Sequence, residues 1–273
     1  MDVGRHIVRC AAYVESLGVG SKSAELDLDQ YPPMVTQVTL SANPILPTDS
    51  TVLTVTASDD FSGLAGGEYY LGPDPGQGNG SAMTLSRSTL TATIGPSIAP
   101  GIYTAWLRVV DVAGNWSRPS GPVLVVYDPA AGSVSGTGWI VPGGPTSDVG
   151  DRLPGLEGIS KASFSLSARY KDESSTAPSG GVSFTYDPGG FFLRSKSLQW
   201  LVVTGDVSTL QGTATIKREA DPYPFQVRVR DGEAAGQPDR FVLIVFDVGS
   251  DPATSPVLYR ASGDVGGQVK IQR

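Results

Sequence analysis

This chain of 273 residues has one histidine and one cysteine. A single thiol excludes an internal disulfide framework and a cysteine-based zinc site. A catalytic triad or a histidine-rich metal site would need His6 joined by a nucleophile or by further ligands. Charge is also scarce. Only 17% of residues are Asp, Glu, Lys or Arg, against about 25% in ordinary soluble proteins. The 20 Lys and Arg are outnumbered by 27 Asp and Glu, for a net charge of -7, and they are scattered without a basic stripe. Nucleic-acid binding needs clustered cations to release counterions from phosphate, so nucleic acid and anionic membrane surfaces are not expected partners. No apolar run reaches the roughly 18 residues of a membrane helix, so no membrane insertion is expected. A period of 3.6 is absent too, as are a Gly-x-Ser-x-Gly elbow and the phosphate-binding glycine patterns.

The abundant residues point one way. Gly 34 and Pro 21 suit many short strands joined by turns and are poor material for long helices. Three segments follow. In residues 1–30, His6–Ala12 and Ser23–Asp29 read as strands before the Tyr31-Pro32-Pro33 break. Residues 31–128 carry strands at Val35–Leu40, Thr51–Ala57, Glu68–Leu71, Leu90–Ile94, Tyr103–Val109 and Val123–Tyr127, with Leu53, Val55 and Ala57 on one face. Between them runs a polar, glycine-rich loop, Gly72–Gly80. About seven strands in about a hundred residues is the immunoglobulin-like count. Residues 129–273 alternate again, in Phe164, Leu166, Ala168, Tyr170 and in Val182, Phe184, Tyr186. The expected fold is all-β, an immunoglobulin-like β-sandwich followed by a larger antiparallel, jelly-roll-like β-sandwich.

An internal repeat links the first two segments. Aligning Gly4 with Gly101 places His6 on Tyr103, Val8 on Ala105, Cys10 on Leu107 and Ala12 on Val109. With a small gap, Asp29 falls on Asp128. Residues 1–30 therefore read as the last two strands of a preceding module. Gly101-Ile102-Tyr103 has the spacing of a tyrosine corner, in which the phenol bonds upstream backbone. His6 stands in that slot in the worn copy, and Cys10 becomes a buried, inert thiol.

One constellation of side chains has ligand chemistry. Loops after the second and sixth strands of a seven-strand sandwich open at one end. That brings Asp59 and Asp60 toward Asp111 and Asn115, oxygen donors that could hold Ca²⁺, which takes six to eight oxygens. The competing reading makes Asp111 and Asn115 caps for turn amides. Elsewhere, Arg230-Asp231 and Asp239-Arg240 are expected to form a salt-linked hairpin base. Trp200 and Trp139 are expected in core packing, and Trp116 is the better candidate for an exposed contact. Nothing singles out a carboxylate pair for glycoside hydrolysis.

Asp59-Asp-Phe-Ser-Gly-Leu64, Gly101-Ile-Tyr-Thr104 and Arg108-Val-Val-Asp-Val-Ala-Gly-Asn-Trp-Ser117 resemble bacterial immunoglobulin-like or fibronectin-like repeats of secreted and cell-surface proteins. In the first segment Val14-Glu-Ser-Leu-Gly18 replaces the Asp-x-Ala-Gly-Asn turn. Val134–Ile140, Gly181–Tyr186, Leu198–Val203 and Pro238–Phe241 resemble the uncharacterised post-COAP type of C-terminal β domain in exported bacterial proteins. The resemblance implies an extracellular or cell-surface chain, non-catalytic, serving as a spacer or adhesion module pair. Its partners would be neighbouring domains of a longer chain and a protein or glycan ligand. The absence of a basic, apolar leader is then expected because the chain is a fragment of a longer secreted protein. The alternative is a ligand-binding, calcium-assisted carbohydrate module of a secreted enzyme.

Overall fold

The computed structural model describes residues 29–156, 160–217 and 221–273, and the strand backbones of 6–12 and 20–26. The chain is nearly all β, 54% strand against 3% helix, with antiparallel sheets throughout. The first ten strands are β1 (His6–Ala12), β2 (Gly20–Leu26), β3 (Met34–Leu40), β4 (Thr51–Ser58), β5 (Leu64–Leu71), β6 (Ser81–Ala82), β7 (Thr84–Ser86), β8 (Thr89–Ile94), β9 (Gly101–Asp111) and β10 (Val123–Val126).

Strands β1 and β2 pair antiparallel as a separate two-stranded sheet. Strands β9 and β10 are likewise neighbours in a sheet. The side chains of His6 and Cys10, and the turn between the two strands, lie outside the described residues. The next eight strands form two four-stranded sheets, ordered β3-β4-β8-β7 and β10-β9-β5-β6. This is the immunoglobulin order with the short β6 added to the second sheet: the first, second, sixth and fifth of the eight strands lie in one sheet and the remainder in the other. Alternation does the sorting. Leu53, Val55 and Ala57 of β4 and Leu107 and Val109 of β9 are almost fully buried, while the residues between them point to the opposite face of each sheet.

The tyrosine corner is present. Tyr103 Oη donates to the carbonyl of Ala99 at 2.8 Å, and a Cβ on Gly101 would lie 3.0 Å from the Tyr103 ring. Glycine lets the ring lie against the strand start. Replacing Tyr103 by Phe deletes one hydrogen bond on an otherwise unchanged ring. We expect a loss of about 1 kcal/mol, read as a lower urea midpoint with unchanged slope.

The larger sheet contains β11 (Ser133–Ile140), β12 (Ala162–Arg169), β13 (Ser179–Tyr186), β14 (Phe191–Thr204), β15 (Val207–Ile216), β16 (Tyr223–Arg230), β17 (Arg240–Phe246), β18 (Val257–Asp264) and β19 (Gly266–Gln272). Its order is β18-β17-β16-β15-β14-β13-β12-β11-β19. Neighbours in sequence are neighbours in space, an up-and-down meander, where a jelly roll would pass strands between sheets. Strands β18 and β19 stand at opposite ends of that order with only Val265 between them. The sheet must therefore curl until its ends meet, and it is nearly closed. Closure creates an interior for one face of every strand. There Phe241 stacks on Phe164 at 4.2 Å and lies 5.9 Å from Phe184, while Phe191 meets Tyr259 edge-on at 5.2 Å.

The tryptophans divide. Trp200 is buried, as expected. Trp139 is 37% exposed and lies flat over Gly266, where any Cβ would sit 2.1 Å from the ring. Lys161 Nζ covers its other region at 3.7 Å from the centroid. The expected salt-linked hairpin base is absent. Arg230 stands directly opposite Arg240, and Asp231 and Asp239 accept backbone amides instead.

By contact density the chain divides into two compact units, 1–41 with 51–94 and 104–122, and 42–50 with 95–103 and 123–273. The second therefore takes in short stretches of the segment 31–128 besides the nine-stranded sheet.

Candidate functional site

In the first unit, strand β4 ends at Ser58, and the following loop is shaped by Asp59. Its Oδ1 accepts the N–H of Phe61 at 3.2 Å and of Gly63 at 2.6 Å, a carboxylate turn that Gly63 completes at φ +82°. Strand β9 ends at Asp111 in the same manner. Asp111 Oδ1 accepts the N–H of Asn115 at 2.8 Å, and Oδ2 accepts Asn115 Nδ2 at 2.9 Å. Gly114 takes φ +91° in this turn. The two loops are tied together, with Val112 N–H donating to Gly63 O at 2.9 Å and Ala113 N–H to Ser62 Oγ at 3.3 Å.

A third carboxylate joins them. Asp29 accepts from the amides of Tyr31 at 3.0 Å and Ser62 at 3.2 Å. Its carbonyl accepts Asn115 Nδ2 at 3.2 Å. The Ser62 hydroxyl, and next the Tyr31 amide, hold the Asp29 carboxyl below its ordinary value, since both donate to the charged form. One oxygen from each of Asp29, Asp59 and Asp111 lies within 4.8 Å of the others. Asp59 Oδ2 accepts no hydrogen bond among the described residues. Of the residues expected from sequence, Asp59, Asp111 and Asn115 come together here. Asp60 is exposed and outside the group, and Asp29 takes its place. The signal for Asp29 was its position at the end of the repeat, where one module hands over to the next.

A second polar cluster in this unit was not legible in sequence. Glu68 of β5 stands directly opposite Arg108 of β9, and both side chains are buried, at 4% and 3% exposure. Arg108 Nε donates to Glu68 Oε1 at 2.5 Å and Nη1 to Asp74 Oδ2 at 3.2 Å. Its Nη2 approaches Asp74 Oδ1 at 3.1 Å as an ion pair, without hydrogen-bond alignment. The remaining Glu68 capacity accepts Gly78 N–H at 3.1 Å and Gly80 N–H at 2.8 Å. The guanidinium also lies 5.4 Å from the Tyr70 centroid and 5.7 Å from that of Trp116. Trp116 is thus half-buried against a cation, and the glycine-rich loop 72–80 is pinned to the sheet by charge.

In the second unit, Asp148 bridges two arginines, with Oδ1 2.7 Å from Arg240 Nη2 and Oδ2 2.6 Å from Arg260 Nη2. Arg260, followed by Arg240, holds its carboxyl below the ordinary value. No protein-family model and no curated protein matches this chain, so the reading of these sites rests on their chemistry.

Proposed function

We propose that the chain is a non-catalytic spacer and adhesion module pair of a larger secreted or cell-surface protein. The observation carrying this reading is the way charge is spent on holding loops and edges still. Glu68, Arg108 and Asp74 pin the loop 72–80. Asp231 and Asp239 tie the β16–β17 hairpin to β19. Rigid antiparallel sheets with tied loops suit the task of holding a partner domain at a distance. Single-molecule stretching of the whole chain tests it. Discrete, cooperative unfolding events for each unit are expected, whereas gradual extension without resisted steps would remove the spacer reading.

A second reading, calcium-assisted ligand binding, is favoured by the convergence of Asp29, Asp59 and Asp111. Three carboxylates and the Asp29 carbonyl region supply only part of the six to eight oxygens Ca²⁺ prefers, so water would complete the shell. That composition matches the weak sites of extracellular modules, with dissociation constants on the order of 10⁻⁴–10⁻³ M. Calorimetric titration of the whole chain should then show a saturable heat that Asp59→Asn abolishes. Absence of heat at millimolar Ca²⁺ would leave the three carboxylates as turn caps alone.

A further inference from the structure

The outward face of β16, β17 and β18 gathers cations on a chain whose net charge is -7. Register puts them there. Arg230 stands opposite Arg240, and Arg240 opposite Asp264. Two residues along, on the same face, Arg228 stands opposite Val242. Two further, Gln226 faces Ile244, which in turn faces Arg260. Residues two apart on a strand are separated by about 6.6 Å, and direct cross-strand neighbours by about 5 Å. Four guanidinium groups therefore share a small area with two carboxylates, Asp148 and Asp264, leaving an excess of two positive charges. The face lines a hollow of about 880 Å³ within the second unit, lined on another side by Pro100 and the start of β9 at 101–103. That volume falls within the roughly 300–1,000 Å³ of small-ligand sites.

The face already holds one carboxylate. Asp148, from the loop after β11, lies in bidentate fashion across Arg240 and Arg260. Among the described residues, Arg228 and Arg230 hold none. Arg228 is exposed and has no polar partner among the described residues. Among the described residues Arg230 reaches only the Pro238 carbonyl, at 3.4 Å, and its Nε is buried without an acceptor. A buried donor left unsatisfied is costly and calls for a partner. Planar guanidinium forks select planar carboxylates. Val242 and Ile244 lie between the cationic positions and offer an apolar floor to the C–H face of a sugar ring, and the Gln226 amide offers hydroxyl-matching polarity.

We propose that this face binds an acidic oligosaccharide, with Arg228 and Arg230 taking a uronate carboxylate and the Val242–Ile244 strip receiving the ring. The proposal deepens, and rests on, the adhesion half of the function above. Titration of the whole chain with a short oligogalacturonate at low salt tests it. Saturable binding is expected, weakened about tenfold, or about 1.4 kcal/mol, in Arg228→Gln/Arg230→Gln. The single variant Arg228→Gln, at an exposed position, should weaken binding in the same direction with unchanged melting, so a folding defect in the double variant cannot hide the answer. The methyl-esterified oligomer should bind far more weakly. Four results would overturn the proposal: no saturable binding, binding indifferent to Arg228→Gln, equal binding of the ester, or equal binding of polyglutamate or inorganic phosphate. Loss of glycan binding with intact stepwise resistance to force removes this site and leaves the spacer reading standing. Gradual extension with glycan binding retained does the reverse.

Discussion

Replacing Arg108 by methionine should lower the stability of the first unit by about 3–5 kcal/mol, the usual result of removing one member of a buried ion pair. Glu68 would remain 4% exposed on a central pairing of β5 with β9, facing the apolar sulfur of the new side chain. Its Coulombic partner would be gone, and only the Gly78 and Gly80 amides would still donate to it. The carboxylate could then regain water only by opening the loop 72–80. Two observables follow. Urea unfolding should shift to a lower midpoint, and Trp fluorescence should follow it, since Arg108 lies over the Trp116 ring. Limited proteolysis should begin to cut within 72–80. The double variant Glu68→Leu/Arg108→Met removes both charges and should recover much of the loss, since apolar replacement of a buried pair is often neutral or stabilising. Its loop should nevertheless stay open, because the Gly78 and Gly80 amides lose Glu68 and Asp74 loses Arg108. A single Arg108→Met variant as stable as the parent would show that the pair contributes nothing.

Alternation of apolar and polar residues made the class of fold legible in sequence. The stretch Phe164-Ser-Leu-Ser-Ala-Arg-Tyr170 has one period, and a strand buried on one face is what that period means. The tyrosine corner was legible for a similar reason, since Gly101 and Tyr103 are local and their bond reaches only to Ala99. What could not be read was anything fixed by pairing across distance. Glu68 and Arg108 are separated by 40 residues, and only the register of β5 on β9 makes them partners. The Arg230–Arg240 apposition is similar. Hairpin residues of opposite sign near a turn suggest a salt link, but the pleat places the two arginines on the outer face and sends Asp231 and Asp239 to backbone amides. The strand order of the larger sheet was also out of reach, because a meander and a jelly roll draw on the same alternating strands and differ in connection alone. At the three-carboxylate site, sequence found the two loops and missed Asp29. Nothing local marks Asp29 as reaching Ser62, 33 residues on.

Asp239 should prove the most sensitive polar residue of the nine-stranded sheet. Strand β19 pairs with β11 along one edge, which leaves its other edge with amides that no strand accepts. Exposed edges of this kind invite pairing with other chains. Here carboxylates take the place of a strand. Asp239 Oδ2 accepts the N–H of Val269 at 2.7 Å and Asp231 Oδ2 that of Ile271 at 3.2 Å. Asp239 Oδ1 also accepts Gly232 N–H at 2.9 Å, which fixes the hairpin that carries it. Its own carbonyl accepts Val265 N–H at 2.9 Å, at the single residue joining β18 to β19. One residue thus ties three segments where the curled sheet meets itself. Asp239→Ala strands the amides of Gly232, which is buried, and of Val269, whose side chain is 1% exposed. At about 1–2 kcal/mol for each unsatisfied donor, the loss should be about 2–4 kcal/mol. Hydrogen exchange distinguishes this local mechanism from general weakening. The amides of Val269 and Val265 should lose protection first, while those of β15 and β16 should open only with the whole sheet. Asp239→Asn retains one acceptor oxygen and should lose about half as much. If Ala and Asn variants lose equally, or if Val269 exchanges no faster than β15, the sheet is closed by its apolar interior and the carboxylate is incidental.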